Sequence, residues 1–196
     1  MTYAEFKTVI KNYVADSSAD VTIAAADAIR HLSNFFWLDD EDTSLTGNGS
    51  TAIFSKPSGT IGIYGILVGD EEYEEIALDE RERIDVCRDG GQNRFYQTAT
   101  EIIFLLAPGS GKTITIHRRV AFTVPTADGT TLDIPERYLP VAALLGVSRY
   151  LRRLVLLTAT TKQFMPDVDV NEIRRVLKEV SDEVDQEIKR IKQANV

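Results

Sequence analysis

Gly109-Ser110-Gly111-Lys112-Thr113 has residue types that can cradle a phosphate, because a glycine-rich turn bares its amides and a lysine adds charge. A nucleotide-binding loop also needs a glycine five residues before Gly111, where Leu106 stands, and a helix after the Lys-Thr pair to face the phosphates. Ile114-Thr115-Ile116-His117 follow instead, which is strand sequence, and no strand ending in an aspartate offers a magnesium partner. A hairpin turn with an exposed lysine is the better reading, and a nucleotide-binding enzyme using Gly109–Thr113 is the alternative from a different class. His31 and His117 stand on different elements without a second histidine or cysteine at ligand spacing, which argues against zinc. Cys87 falls near the end of a predicted helix, where the helix field opposes a thiolate, so it reads as a structural thiol. The carboxylates at Asp70 to Glu75 and Asp79 to Glu82 lack the alternating ligands and glycine of a calcium loop and read as solvated faces. No catalytic group, metal set or cofactor site is expected, and the protein is read as a non-enzyme.

The elements that carry these residues are organised around the stretch from Asp133 to Leu157. Val141, Ala142, Ala143, Leu144, Leu145, Val147, Tyr150, Leu151, Leu154 and Leu157 make it apolar nearly all the way round, and such a helix belongs inside something. Asp133 and Glu136 have capping-box spacing, and Pro135 sits where a missing N–H costs little. Pro140 comes late enough to predict a short first turn and a kink, with the main helix from about Leu139. Arg149, Arg152 and Arg153 on this helix need water, a carboxylate or a partner chain.

Thr2 and Glu5 have capping-box spacing ahead of Phe6, Val9, Ile10 and Tyr13, a first helix. Ser17 and Asp20 repeat the signal ahead of a second helix running towards Trp37. Asp39 to Gly59 is rich in Asp, Thr, Ser, Gly and Asn and reads as a loop or a loosely formed strand. A hairpin turning at Gly69-Asp70 follows, then a short charged helix over Glu80 to Val86 before Gly90-Gly91. Phe95 to Thr98, Glu101 to Leu106 and Thr113 to Phe122 read as strands, the last two joined by the turn from Ala107 to Lys112. After a break at Lys162 to Pro166, Val170, Ile173, Leu177, Val180, Val184, Ile188 and Ile191 form one stripe on a long terminal helix, narrow like a coiled-coil seam. The partner of that stripe is the central helix or another chain.

The formal charge of −8, from 30 acidic against 22 basic residues, argues against tight wrapping of nucleic acid, which needs clustered Lys and Arg. It leaves room for lining a passage through which DNA slides. The single cysteine cannot form an intramolecular disulfide, and the N-terminus lacks a basic region followed by an apolar run. No apolar run approaches the roughly 20 residues of a membrane span, so no membrane is expected as a partner. A reducing cytoplasm, or an assembly formed there, is the expected setting.

The order of parts resembles the head-to-tail adaptor (head completion, or connector) proteins of tailed bacteriophages. The likeness rests on Phe35-Phe36-Trp37 ahead of sheet segments, on Tyr96 through Ile103 and Pro108 to Val120, and on Ile134-Pro135-Glu136-Arg137-Tyr138 opening an Ala- and Leu-rich helix to Arg153. The resemblance implies a virion protein made in the host cytoplasm and placed at the neck, the head–tail junction. It would assemble with itself as a ring, usually twelve-membered, beneath the portal protein. Such a ring extends the DNA channel, through which DNA passes without sequence-specific binding, and docks tail or neck proteins. Another neck or tail-completion ring protein is the alternative within that class. The expected fold is α+β: a mainly helical bundle body with an inserted small antiparallel β-sheet and a long C-terminal helix. The adaptor body is expected over residues 1–160, with helices at 2–14, 18–38 and 134–158 and a β-rich insertion at 50–125, and a helical extension at 167–196. Subunit or portal contacts are expected at Arg149, Arg152, Arg153, Ile173, Leu177, Val180, Val184, Ile188 and Ile191, because adaptor families commonly reach the portal with a terminal extension.

Overall fold

Thr2 starts the first helix in the way its spacing predicts. Its hydroxyl accepts from the Glu5 amide at 3.3 Å, Glu5 Oε2 accepts from the Thr2 amide at 2.7 Å, and α1 runs Tyr3–Tyr13. The computed structural model describes residues 1–14, 19–77, 93–160 and 170–194. The chain divides into two units, Met1–Trp37 with Phe122–Val196, and Leu38–Ala121.

In the first unit, α2 (Thr22–Leu32) begins later than the Ser17–Asp20 spacing suggests. Val21 is its N-cap with no side-chain bond, while Asp20 Oδ1 accepts from the Thr22 amide at 3.1 Å. Ser17 lies outside the described residues, as do the Lys162 to Pro166 break, the expected Glu80 to Val86 helix, Cys87 and the Gly90-Gly91 turn. The Asp133–Glu136 capping box does not form, because Asp133 accepts instead from the Thr123 amide at 2.8 Å. A single 3-10 turn, Glu136–Tyr138, leads into α3 (Leu139–Thr160). Pro140 therefore falls in the first turn of α3, where an amide has no helical partner to lose.

Every residue from Val141 to Ser148 is buried. The reason is enclosure: α3 packs against α1, α2 and α4 (Val170–Ala194). Gly146 lets α1 approach, since a methyl group there would overlap Ile10 Cδ1. On α4, Val184, Ile188 and Ile191 are buried, while Ile173, Leu177 and Val180 are half-buried. Its outward faces carry the exposed i,i+3 and i,i+4 pairs Arg175–Glu172, Arg175–Glu179 and Arg190–Glu187, which water screens.

The second unit overturns the expected fold class. It is a seven-stranded, mixed, curled sheet with its own core, too large to be a minor insert in a helical bundle body. The strands are β1 (Leu38–Thr46), β2 (Ile53–Ser55), β3 (Thr60–Val68), β4 (Glu71–Glu75), β5 (Arg94–Gln97), β6 (Glu101–Phe104) and β7 (Thr113–Val120). Their order is β1-β7-β3-β4-β5-β6-β2, antiparallel throughout except for the parallel pair β4–β5. Ile63, Ile66, Val68, Phe95, Ile102, Phe104, Ile114 and Ile116 make the core. The helical expectation failed because the acidic run Asp39-Asp40-Glu41-Asp42 hid a strand: Leu38–Thr46, all but its first residue inside the stretch expected as loop or loose strand, is a nine-residue edge strand. The Ala107 to Lys112 segment also differs from its expectation, since β6 pairs with β5 and β2 whereas β7 pairs with β1 and β3. It does not close a hairpin. It bonds to the end of β1 instead, through Gly47 N to Lys112 O (2.8 Å), Gly111 N to Gly47 O (2.9 Å) and Gly49 N to Pro108 O (2.9 Å). The expected hairpin is present at β3–β4, turning on Gly69 with φ 62°.

Candidate functional site

Lys112 passes into β7 rather than into a helix, and its Nζ lies 3.3 Å from Glu71 Oε1. The Gly111 amide is already bonded to Gly47, so the turn presents no nest of free amides under a helix N-terminus. The two histidines fall in separate units: His117 stacks on Tyr64 at 6.0 Å in the sheet, and His31 lies on α2. Among the described residues no three His, Cys, Asp or Glu side chains gather as a metal site, and no helix is long and apolar enough to cross a membrane.

The side chains that do converge belong to the helical unit. His31 near the end of α2 and Phe35 just after it meet Leu145, Ser148, Arg149 and Arg152 of α3 and Ser181, Val184 and Asp185 of α4 around a cavity of about 150 Å³. The helix periodicities explain the convergence: positions 145, 148, 149 and 152 share one face of α3, and 181, 184 and 185 share one face of α4. His31 Nδ1 sits 3.0 Å from Asn34 Nδ2, and its ring meets Phe35 edge to face at 5.3 Å. Burial lowers the pKa of His31 below the ordinary 6.5, and the charges of Arg149 and Arg152 lower it further. His31 is therefore neutral at pH 7. Lys192 Nζ, 5.7 Å from the Phe35 ring centre, adds another positive charge nearby.

Arg149 is half-buried and Arg152 exposed, and neither makes an ion pair or hydrogen bond among the described residues. Among the described residues Asp185 is the only carboxylate lining the cavity. Arg153, also exposed, lies on another face with Asp20, Tyr150, Leu154 and Leu157 around a groove of about 220 Å³. There the Thr22 hydrogen bonds, and after them the Arg153 charge, lower the pKa of Asp20. Among the described residues no hydrogen bond joins Ser148 or Ser181 to His31, and the surplus positive charge of the cavity suits a carboxylate or another oxyanion.

Of the residues expected at contacts, the structure brings Arg149, Arg152 and Val184 together at one cavity and separates Arg153 from them. Ile188 and Ile191 are buried within the subunit, and Ile173, Leu177 and Val180 stand half-buried along α4. Sequence reading weighed His31 only as a zinc ligand and Phe35 only for the family likeness, and it placed none of His31, Phe35, Ser148, Ser181 and Asp185 at this site. Their only local signal is the three- and four-residue spacing of Ser181, Val184 and Asp185, which places a polar pair beside a buried valine.

A family model described as SU10 adaptor protein matches residues 1–155, which takes in the whole sheet unit and α3 through Val155 and stops before α4. No curated protein matches the chain. The chain belongs to the SU10 adaptor protein family, a family of phage head-to-tail adaptors, and is a structural protein of the phage virion.

Proposed function

We propose that this adaptor works as a homo-oligomeric ring of twelve subunits at the neck of the virion, between portal and tail. There it extends the DNA channel and docks tail proteins. The observation that carries this reading is the pair of α3 arginines, Arg149 and Arg152, which make no ion pair among the described residues of a chain whose net charge is −8. Acidic groups outnumber basic ones, so arginines kept apart from them within the subunit are available to a neighbour. Arg153 contributes at the same boundary from its own groove. An acidic chain also suits a channel, because like charge does not hold DNA tightly.

Residues 1–160 are the ring-forming body in this reading, and α4 is the extension that meets portal or an adjacent subunit through Ile173, Leu177 and Val180. Val184, Ile188 and Ile191 brace it from within. Deleting α4 would strip cover from the body, so substitution is the cleaner test. Ile173→Ser with Leu177→Ser should leave a folded chain that joins purified portal weakly. Native mass measurement of the protein alone and with portal tests the ring, and images of virions labelled against the chain test its place. A monomer under both conditions, or label away from the neck, overturns the proposal.

A further inference from the structure

The cavity at His31, Arg149 and Arg152 has a complement elsewhere on the same chain. At about 150 Å³ it is well below the roughly 300–1,000 Å³ of small-molecule pockets, so it suits the end of one side chain. Its charge selects a carboxylate: two guanidinium groups that make no ion pair among the described residues, and the nearby Lys192, outweigh Asp185. The β3–β4 hairpin carries the opposite surplus. From Asp70 to Glu75 five of six residues are acidic, and all five are exposed. Glu71 is tied to Lys112 at 3.3 Å, Glu74 lies 3.7 Å from Arg94, and Glu75 accepts from Gln97 at 2.7 Å. Asp70 and Glu72 make no ion pair or side-chain hydrogen bond among the described residues. Lys112 anchors the tip while leaving these two carboxylates outward, on a turn whose Gly69 amide is bonded to Thr113 O at 2.8 Å.

We propose that the β3–β4 hairpin tip of one copy seats Asp70 or Glu72 in the cavity formed by His31, Arg149 and Arg152 of the next copy. This names the partner at the ring boundary and rests on the ring reading above. Two different, complementary patches on one chain make a head-to-tail contact, which repeats around a ring when the rotation closes. The same chain supplying both surpluses favours a second copy over a separate protein as the occupant. Lining residues on three helices hold the receiving side in place, and a hydrogen-bonded turn holds the entering side, so little ordering is needed on contact.

Charge reversal on the full chain tests it, with self-association read by sedimentation and native mass, and the fold checked by thermal melting. Arg152→Glu, and separately Asp70→Lys with Glu72→Lys, should each weaken self-association about tenfold or more without lowering the melting temperature. Combining the three reversals in one chain should restore association to within about threefold of the original. Wild-type association untouched by either reversal overturns the contact and leaves the ring standing. Loss that the combined chain does not recover overturns the assignment of Asp70 and Glu72. Arg152→Glu copies that still associate but no longer join portal give the cavity to portal instead. A wild-type chain that never associates overturns both the contact and the ring.

Discussion

Arg118 on β7 and Arg152 on α3 are the same side chain in opposite circumstances. Arg118 is 12% exposed, and its guanidinium meets Asp40 at 2.8 Å, Asp42 at 3.1 Å, Ser58 O at 3.0 Å and the Thr60 hydroxyl at 3.1 Å. Arg152 is exposed and pairs with no carboxylate among the described residues. The first arginine serves its own sheet. It fastens the acidic edge strand β1 to β7, with Asp40 directly opposite Arg118 in the register. Removing such a partner leaves carboxylates stranded, whereas removing a free arginine strands nothing. The difference separates a charge that builds the subunit from charges left over for another chain.

The largest test breaks the built side. Arg118→Met should destabilise the sheet unit by about 2–3 kcal/mol, a value reduced from that of a fully buried pair because Asp40 is partly exposed. Denaturant unfolding measures it, and a loss below about 0.5 kcal/mol would make Arg118 no different from a surface charge. Next comes the frame that presents the free arginines. Gly146→Ala forces a methyl group against Ile10, costing about 1–3 kcal/mol, offset by roughly 1 kcal/mol of helix propensity, so a lower melting temperature is expected. An unchanged melt would show that α1 yields freely.

Acid sharpens the contrast. His31 has a folded pKa below its ordinary 6.5, so the folded chain binds a proton less readily than the unfolded one. The stability tied to neutral His31 is present above 6.5 and lost as pH falls through the lowered value, with Arg149, Arg152 and Asp185 facing it. Asp42 is held below 3.8, first by its hydrogen bonds with Ser44 and then by Arg118, so its contribution is lost only at more acidic pH. Melting temperature against pH should fall first for the helical unit, and His31→Gln should flatten that first fall. The smallest effect is on the free side itself. Arg152→Ala should change subunit stability by less than about 0.5 kcal/mol, measured by the same unfolding curves. A larger loss would mean that the arginine serves the subunit after all.

The α1 capping box, the start of α3 at Leu139 and the β3–β4 turn were legible because each is a local signal of two to six residues. β1 was not legible as a firm strand, because Asp40 and Asp42 become strand residues only through Arg118 on a strand far along the chain. Gly109 to Lys112 misled for a related reason: a glycine-rich run between two strands looks like their hairpin, and only the bonds to Gly47 and Gly49 show otherwise. At the candidate site, Arg149 and Arg152 were visible as unmatched charges on an apolar helix. His31 and Asp185 were not, since adjacency of α2 and α4 to one face of α3 is set by packing rather than by spacing.

The pairing of Leu38 with Val120 has a consequence for how the chain folds. The helical unit is made of two sequence segments, ending at Trp37 and resuming at Phe122, and joining them through an unformed loop of that length carries a large closure entropy. Once β1 and β7 zip, Leu38 and Val120 lie side by side, and the two segments meet as if joined by a short tether. Sheet formation thus shortens the loop that the helices must close, so the closure entropy of that span is met once, in β1–β7 pairing, and not again when the helices pack.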